Sequence, residues 1–550
     1  KTPVGVGCSS VPSRTAAATI GNWKREMPNA DHTAPSGSMS AMNFMVSTVA
    51  GAMAGAEAPR AKVEAPPLRI LEALAASGLR AIRYALELPG VGEVVACDLE
   101  KRAVEHMRRN IRHNADGPGG SEEAMARVKP MQADARLVMM QNPKGFDVVD
   151  LDPYGTPSVF LDTAVQTVAD GGLMCVTATD MAVLCGNSGE VSWTKYGAYA
   201  LRGKYCHESA LRILLASVEQ HAVRHRRYIV PVLSVSIDFY VRVFVRVFTS
   251  AQVMKQTASK LSYVWQCVRC DSFELQPVGR MLQKDRSVKY APGTGPAVDA
   301  GGCEHCGGRF NMGGPMWNGP IHDPEWAQEI LREAQEHPEA FPAHKKIQGL
   351  LTTVGEELPD APLFMDLHHM SSTVKATAIR SADFRSALVN AGHRVSSTHC
   401  NPNGVKTDAP LSVVWDVMRA WVEQHPVKKQ DESSTAYKIL QKKPDTEIDF
   451  TRAYKALSKA KEKGAPRFLP NPEPHWGPRA KAGRYLPGNR KGKRPAAWGP
   501  GSEKAAKTAA VGPGPAPPAG GAEGDKKENG GGRRPERRGD ASVFFAALLR

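Results

Sequence analysis

Between Leu68 and Thr179 short apolar runs alternate with amphipathic stretches, and this alternation confines the chain to one broad architecture. Leu68 to Leu74 reads as a buried strand and Leu79 to Leu88 as the helix after it. Glu93 to Cys97 is a second strand ending at Asp98, and Lys101 to Asn114 is helical with a basic outer face. Val128 to Ala133 ends at Asp134, and a helix begins over Ala135 to Gln141. Phe146 to Leu151 is followed by a helix from about Pro157 to Ala169 and by a strand over Leu173 to Thr179. Repeated strand-helix units predict a parallel, doubly wound α/β sheet whose ligands bind at the carboxyl ends of the strands.

Those ends carry acids. The turn Glu72 to Arg80 is built of small residues around a single glycine, Gly78, so the backbone can approach a ligand closely, but the turn is a poor pyrophosphate loop. Asp98 stands where a carboxylate accepts ribose hydroxyls, and Asp134 with the Ala135 amide where an adenine needs an acceptor and a donor. Any one of these acids can equally be a helix N-cap. Asp98, Asp134 and Asp152 ending successive strands describe a nucleoside cofactor, and S-adenosylmethionine fits best.

Asp150 to Pro157 contains the tetrad Asp152-Pro153-Tyr154-Gly155, an acidic-Pro-aromatic loop at a buried strand tip. An exocyclic amine on a planar base has its lone pair delocalised into the ring. It attacks a methyl group well only when its hydrogens are held by acceptors. Asp152 and the Pro153 carbonyl can be those acceptors, and Tyr154 can stack on the base. The plain alternative is a strand-ending turn shaped by Pro and Gly. Beyond it, Tyr228 to Ile237 and Val241 to Phe248 are close-spaced strands, with Val241, Val243, Val245 and Val247 on one face of the second and Arg242, Phe244, Arg246 and Phe248 on the other. Two adjacent strands closing a parallel sheet suit a Rossmann-like class I methyltransferase.

The second constellation is Cys267-x-x-Cys270 and Cys303-x-x-Cys306, four thiolates suited to one tetrahedral, structural Zn2+. The long segment between the pairs is expected to form strands or an excursion, and His305 is a turn residue rather than a ligand. Cys8, Cys97, Cys175, Cys185, Cys206 and Cys400 read as small apolar residues. Ten cysteines in 550 residues are too few for a disulfide scaffold. A net charge of +15 favours an anionic partner, and no apolar run is long enough to span a bilayer.

The ends differ in composition. Residues 1–57 read as an unstructured leader, acid-free from Lys1 to Arg25, which leaves a mitochondrial address open. Residues 58–250 read as the methyltransferase domain, 251–320 as the zinc segment, 321–425 as a C-terminal RNA-binding domain and 426–550 as a basic, largely disordered tail. In the tail, Arg490 to Arg494 and Arg533 to Arg538 read as nuclear addresses, as phosphate-binding arms or as solvated charge; a cytoplasmic location also stays open. Between Pro324 and Glu423, helices are expected over Trp326 to Gln335, Ser381 to Ala391 and Ser412 to Glu423, while Leu363 to Met370 is ambiguous. Arg380, Arg385, His393, Arg394, His399 and Lys406 are candidates to face a phosphate backbone.

Ala75 to Arg80, Gln132 to Arg136, Asp150 to Pro157, Thr179 to Leu184, Gly186 to Glu190, Lys195 to Gly197 and Asp238 to Phe244 resemble the tRNA (guanine-26, N2)-dimethyltransferase family. The resemblance runs from about Leu68 to Pro478 and includes Gly313 to Trp317, Lys406 to Pro410 and Trp476 to Pro478. It implies S-adenosylmethionine held by Arg80, Asp98, Asp134 and Ala135, catalysis around Asp152, Pro153 and Tyr154, zinc at the four cysteines, a family-specific α+β C-terminal domain, and methylation of a guanine amino group in tRNA. A chain that is monomeric when free is expected. The family's upstream aromatic-Asn-Pro segment ending in Asn-Arg-Asp has no counterpart among residues 1 to 67, and a terminal Cys/His knuckle of some animal members is absent. Two readings compete: from these departures, a catalytically impaired, zinc-containing tRNA-binding protein; from the tetrad alone, another nucleic-acid amino-group methyltransferase, which would lack the family-specific segments.

Overall fold

The alternate residues of each central strand enter two different cores. Ile70, Val94 and Val148 pack on one face of a sheet, while their neighbours Leu71, Val95 and Val149 pack on the other. This is the two-residue period of a strand covered on both sides, which is why these segments read as continuous apolar runs. The computed structural model describes residues 66–458 except 118–119, 285–286 and 339–342. The leader and most of the basic tail, with both arginine clusters and Cys8, lie outside the described residues.

The sheet contains β1 (Leu68–Glu72), β2 (Val91–Asp98), β3 (Val128–Gln132), β4 (Phe146–Leu151), β5 (Val168–Ala178), β6 (Arg227–Ile237) and β7 (Tyr240–Thr249) in the order β3-β2-β1-β4-β5-β7-β6. Pairing is parallel from β3 to β5. β7 runs antiparallel to β5 and to β6, as expected for a sheet closed by two adjacent strands. The connections are α1 (Leu79–Glu87), α2 (Lys101–Asp116), α3 (Glu122–Ala126), α4 (Ala135–Gln141) and α5 (Leu161–Thr167).

Pattern alone assigns no element to residues 181–226. They form α6 (Met181–Leu184), α7 (Gly189–Tyr196) and α8 (Cys206–Arg224). α8 is buried nearly all round, and its Glu208, Arg212 and Glu219 blur the apolar period. Each finds a buried partner: Lys406 Nζ lies 2.7 Å from Glu208, Arg212 lies 2.8 Å from Glu208, and the Ile229 amide donates to Glu219 at 2.8 Å.

The expected zinc segment holds β8 (Leu261–Cys267), β9 (Phe273–Pro277) and β12 (Phe310–Trp317) in one antiparallel sheet, with β10 (Gly279–Lys284) and β11 (Ser287–Pro292) as a separate hairpin. Strands therefore fill the span between the cysteine pairs. Beyond it, α9 (Pro324–Glu336) and α10 (His344–Glu356) cover one face of the large sheet through Ala327, Ile330 and Leu351. β13 (Met365–Asp366), α11 (Leu367–Thr373), α12 (Ser381–Asn390), β14 (Val395–Ser397), β15 (Gly404–Thr407), α13 (Leu411–Gln424) and α14 (Thr435–Leu440) follow. The ambiguous stretch Leu363 to Met370 thus splits between strand and helix.

Three of the cations expected to face phosphate do not. Arg385, His399 and Lys406 are buried. Arg385 donates to Ser397 at 2.8 Å, His399 meets Glu357 at 2.7 Å, and Lys406 neutralises Glu208. Buried carboxylates require such partners, so these side chains are interior counter-ions. Arg394 is half-exposed and paired with Asp360 and Asp408, with His393 beside Asp408, while Arg380 remains exposed.

Candidate active site

The turn from β1 into α1 needs a left-handed backbone at Gly78, whose φ is +74°, and a Cβ there would meet Met107 at 2.8 Å. Ala76 is left-handed as well, and its amide donates to Asp98 at the end of β2 at 2.9 Å. The Glu100 amide donates to the other Asp98 oxygen at 2.9 Å. Asp98 therefore ties two strand tips together and keeps its carboxylate partly open to solvent. Asp134 caps α4 through the Arg136 amide, and its carboxylate pairs with the Arg136 side chain at 2.6 Å. Those hydrogen bonds hold its pKa below the ordinary aspartate value. The N-cap reading thus describes Asp134 in the chain as it stands, and Ala135 is buried at the first helical position.

The tetrad loop is anchored rather than floppy. The Gly155 amide donates to Thr179 Oγ1 at 2.7 Å, and the Thr179 amide donates back to the Gly155 carbonyl at 2.9 Å. Gly155 itself is left-handed, with φ +83°. Tyr154 is 90% exposed, an aromatic face presented to solvent. Behind it, Asp180 accepts from Lys195 Nζ at 3.0 Å and from the Tyr196 hydroxyl at 2.6 Å, which fixes the chain after β5.

Below the loop lies a buried ionic cluster. Arg80 pairs with Asp152, with Glu72 at 3.1 Å and with Asp150 at 3.3 Å. Asp150 also accepts from the Tyr84 hydroxyl and from Arg242, each at 2.7 Å, and Arg242 donates to Thr177 at 2.5 Å. Arg80 therefore stands beneath the tetrad, committed to three carboxyls. Burial alone raises the Asp152 carboxyl, but Arg80 and Arg242 outweigh it and the group ends below the usual aspartate range. Asp152 is thus an ionised acceptor at neutral pH.

Three carboxyls share two guanidinium groups here, so one proton balances the charge. Of the three carboxyls, Glu72 holds a proton most readily: burial pushes its pKa up from 4.5 to about 7 against the pull of Arg80. A folded-state pKa above the unfolded one means that the stabilising contribution is complete below about pH 4.5 and is lost as pH rises through about 7. Glu72→Gln is expected to flatten the fall in stability between about pH 5 and 8, a difference on the order of 3 kcal/mol. Denaturant unfolding across that range checks it; a pH slope equal to that of the native chain counts against a protonated Glu72.

The sequence pattern does not bring Glu72, Tyr84, Asp150 and Arg242 together as one unit. One signal points to it: Arg242 stands among Val241, Val243, Phe244 and Val245, and a charge in that apolar run demands a buried partner.

At the four cysteines, Sγ atoms of Cys267 and Cys306 are 3.4 Å apart and those of Cys270 and Cys303 3.6 Å. All four thiols are buried, unbridged and within ligand reach of one another. A Zn–S bond of about 2.3 Å sets sulfur-sulfur edges of about 3.8 Å, so the donor set fits a tetrahedral zinc ion. Left-handed Asp271 and Gly307 close the two knuckles, and His305 stays outside the sulfur cluster. Cys270 Sγ lies 3.2 Å from Ser272 Oγ, which also accepts from Trp415, so the thiols are tied into the α13 core.

The chain is similar to known proteins. The sequence model of the N2,N2-dimethylguanosine tRNA methyltransferase family matches residues 33–419. Over 429 residues the chain is 56% identical to tRNA (guanine(26)-N(2))-dimethyltransferase 2 of Arabidopsis thaliana, covering 78% of this chain and 71% of that one. It is 47% identical over 421 residues to the Homo sapiens tRNA (guanine(26)-N(2))-dimethyltransferase, covering 76% of this chain and 62% of that protein. Among solved structures, Trm1 from Pyrococcus horikoshii in complex with S-adenosyl-L-methionine superposes with a TM-score of 0.56 at 29% identity, over 68% of this chain and 92% of that one. With the family model matched over most of its length and relatives at 47–56% identity, the chain belongs to the N2,N2-dimethylguanosine tRNA methyltransferase family.

Proposed function

We propose that this chain transfers one or two methyl groups from S-adenosyl-L-methionine to the exocyclic N2 of guanosine 26 in tRNA. The observation that carries the reading is the tetrad loop, with Asp152 kept ionised over a buried arginine and Tyr154 presented to solvent on an anchored backbone. The solved Pyrococcus relative holds S-adenosyl-L-methionine, and the curated relatives carry the guanine-26 activity in their names. Family membership favours this reading over a non-catalytic tRNA-binding protein.

Asp98 suits the ribose hydroxyls of the cofactor, and Asp134 with the Ala135 amide suits its adenine. Arg80 acts one layer below, orienting Asp152. When bound, the cofactor supplies an electrophilic methyl group on a sulfonium. Asp152 and the Pro153 carbonyl accept the amino hydrogens of guanine, localising the nitrogen lone pair, and Tyr154 stacks on the base. Once a methyl group is added the nitrogen is a strong acid, so even a carboxylate of depressed pKa suffices to take its proton. A guanine inside folded RNA must leave its stack to reach the loop, at a cost of a few kcal/mol that tRNA binding offsets. Zinc at Cys267, Cys270, Cys303 and Cys306 is structural, since four thiolates leave no open position. Basic segments in the tail favour a nuclear address, while a Saccharomyces cerevisiae relative is mitochondrial by name.

Mass spectrometry of nucleosides from unmodified tRNA treated with this chain and cofactor tests the reading. N2-methylguanosine and N2,N2-dimethylguanosine are expected; guanosine left unmodified at position 26 overturns it.

A further inference from the structure

Between the two cysteine knuckles, after β9, lies the β10–β11 hairpin, and among the described residues no third strand pairs with it. Among the described residues β10 and β11 pair only with each other, and the base of the hairpin rests on the 3-10 helix Val253–Lys260 at Gly279 and Ala258. Register places Arg280 opposite Ala291, Leu282 opposite Lys289 and Lys284 opposite Ser287, so Arg280, Lys284 and Lys289 share one face. The other face carries Met281 opposite Tyr290 and Gln283 opposite Val288. All three cations are exposed, and Leu282, Val288 and Tyr290 are each 40% exposed. The described residues of the hairpin include no acid, and among the described residues none of its three cations has an acidic partner within ion-pair distance.

An isolated two-stranded hairpin is marginal in water, and one that leaves apolar and aromatic side chains open on both faces lacks a partner surface. The tip adds Asp285 and Arg286, whose charges cancel and which lie outside the described residues, so three cations on one face and a tyrosine on the other remain, and these match a polyanion with stackable bases. We propose that the β10–β11 hairpin, standing on the 3-10 helix Val253–Lys260, is an RNA-binding arm that grips the tRNA phosphate backbone with Arg280, Lys284 and Lys289 and packs Tyr290 on a base or ribose. The proposal rests on the tRNA methyltransferase reading and adds a binding surface outside the strand-tip site.

Each cation withdrawn from a phosphate lowers the salt slope of binding by about 0.9. The triple variant Arg280→Gln, Lys284→Gln, Lys289→Gln is expected to bind tRNA at least about ten-fold more weakly at low salt, with a slope smaller by about two to three. Tyr290→Ala is expected to weaken binding several-fold with its salt slope unchanged. Zinc content and S-adenosyl-L-methionine binding by calorimetry are expected to match the native chain in both variants, which shows that the arm, not the fold, was altered. Native affinity and native salt slope in a zinc-loaded triple variant overturn the arm, even if the chain methylates tRNA. Failure of the native chain to methylate tRNA would instead overturn the functional reading on which the arm rests.

Discussion

Asp152→Ala is expected to lower methyl transfer to tRNA by roughly a thousand-fold while tRNA affinity stays within about two-fold of native. The size follows from the side chain's position: it is the ionised acceptor at the loop tip, and water cannot replace a fixed, charged acceptor inside a stacked pocket. The fold is expected to survive, because Arg80 retains Glu72 and Asp150 when Asp152 is gone. Asp152→Asn keeps an acceptor oxygen but removes the charge facing Arg80, so an intermediate rate is expected. Single-turnover methylation beside filter binding separates these effects. Undiminished transfer by Asp152→Ala would refute the catalytic assignment.

The second large effect concerns the four cysteines. One zinc ion per chain is expected by metal analysis, and Cys303→Ser is expected to lose it and lower the melting temperature on the order of 10 °C or more. The four thiols share a core with Phe384, Trp415 and Met418, so the damage reaches the helices of the C-terminal half. Without metal, four buried thiols at close range lose the charge balance that draws them together. Calorimetric melting of native and metal-stripped protein checks this, and identical melting curves would rule out a structural metal.

Much of this is legible in the chain. The strands ending at Asp98 and Leu151 fall where expected, because a strand covered on both faces leaves an unbroken apolar run, while the edge strand Val128–Gln132 is mostly exposed and stops two residues short of Asp134. The cysteine pairs announce themselves by spacing. The helix α8 does not, since Glu208, Arg212 and Glu219 interrupt its apolar pattern and are explained only by Lys406, Lys260 and other groups distant in the chain. For the same reason Lys406 and His399 look like surface cations in the sequence, although each is the counter-ion of a carboxylate inside the protein.

The sequence by itself determined the layered α/β sheet, the acids at the strand tips, the tetrad loop and the two spaced cysteine pairs, because all of these are written in local period and spacing. Only the tertiary structure decided that Arg80 stands beneath Asp152, that Asp150 is sealed between Arg80, Tyr84 and Arg242, and that burial raises the Glu72 carboxyl beside them. Those partners arrive from different strands and helices through crossovers. A charge at one position encodes the need for a counter-charge, while the fold chooses which one meets it.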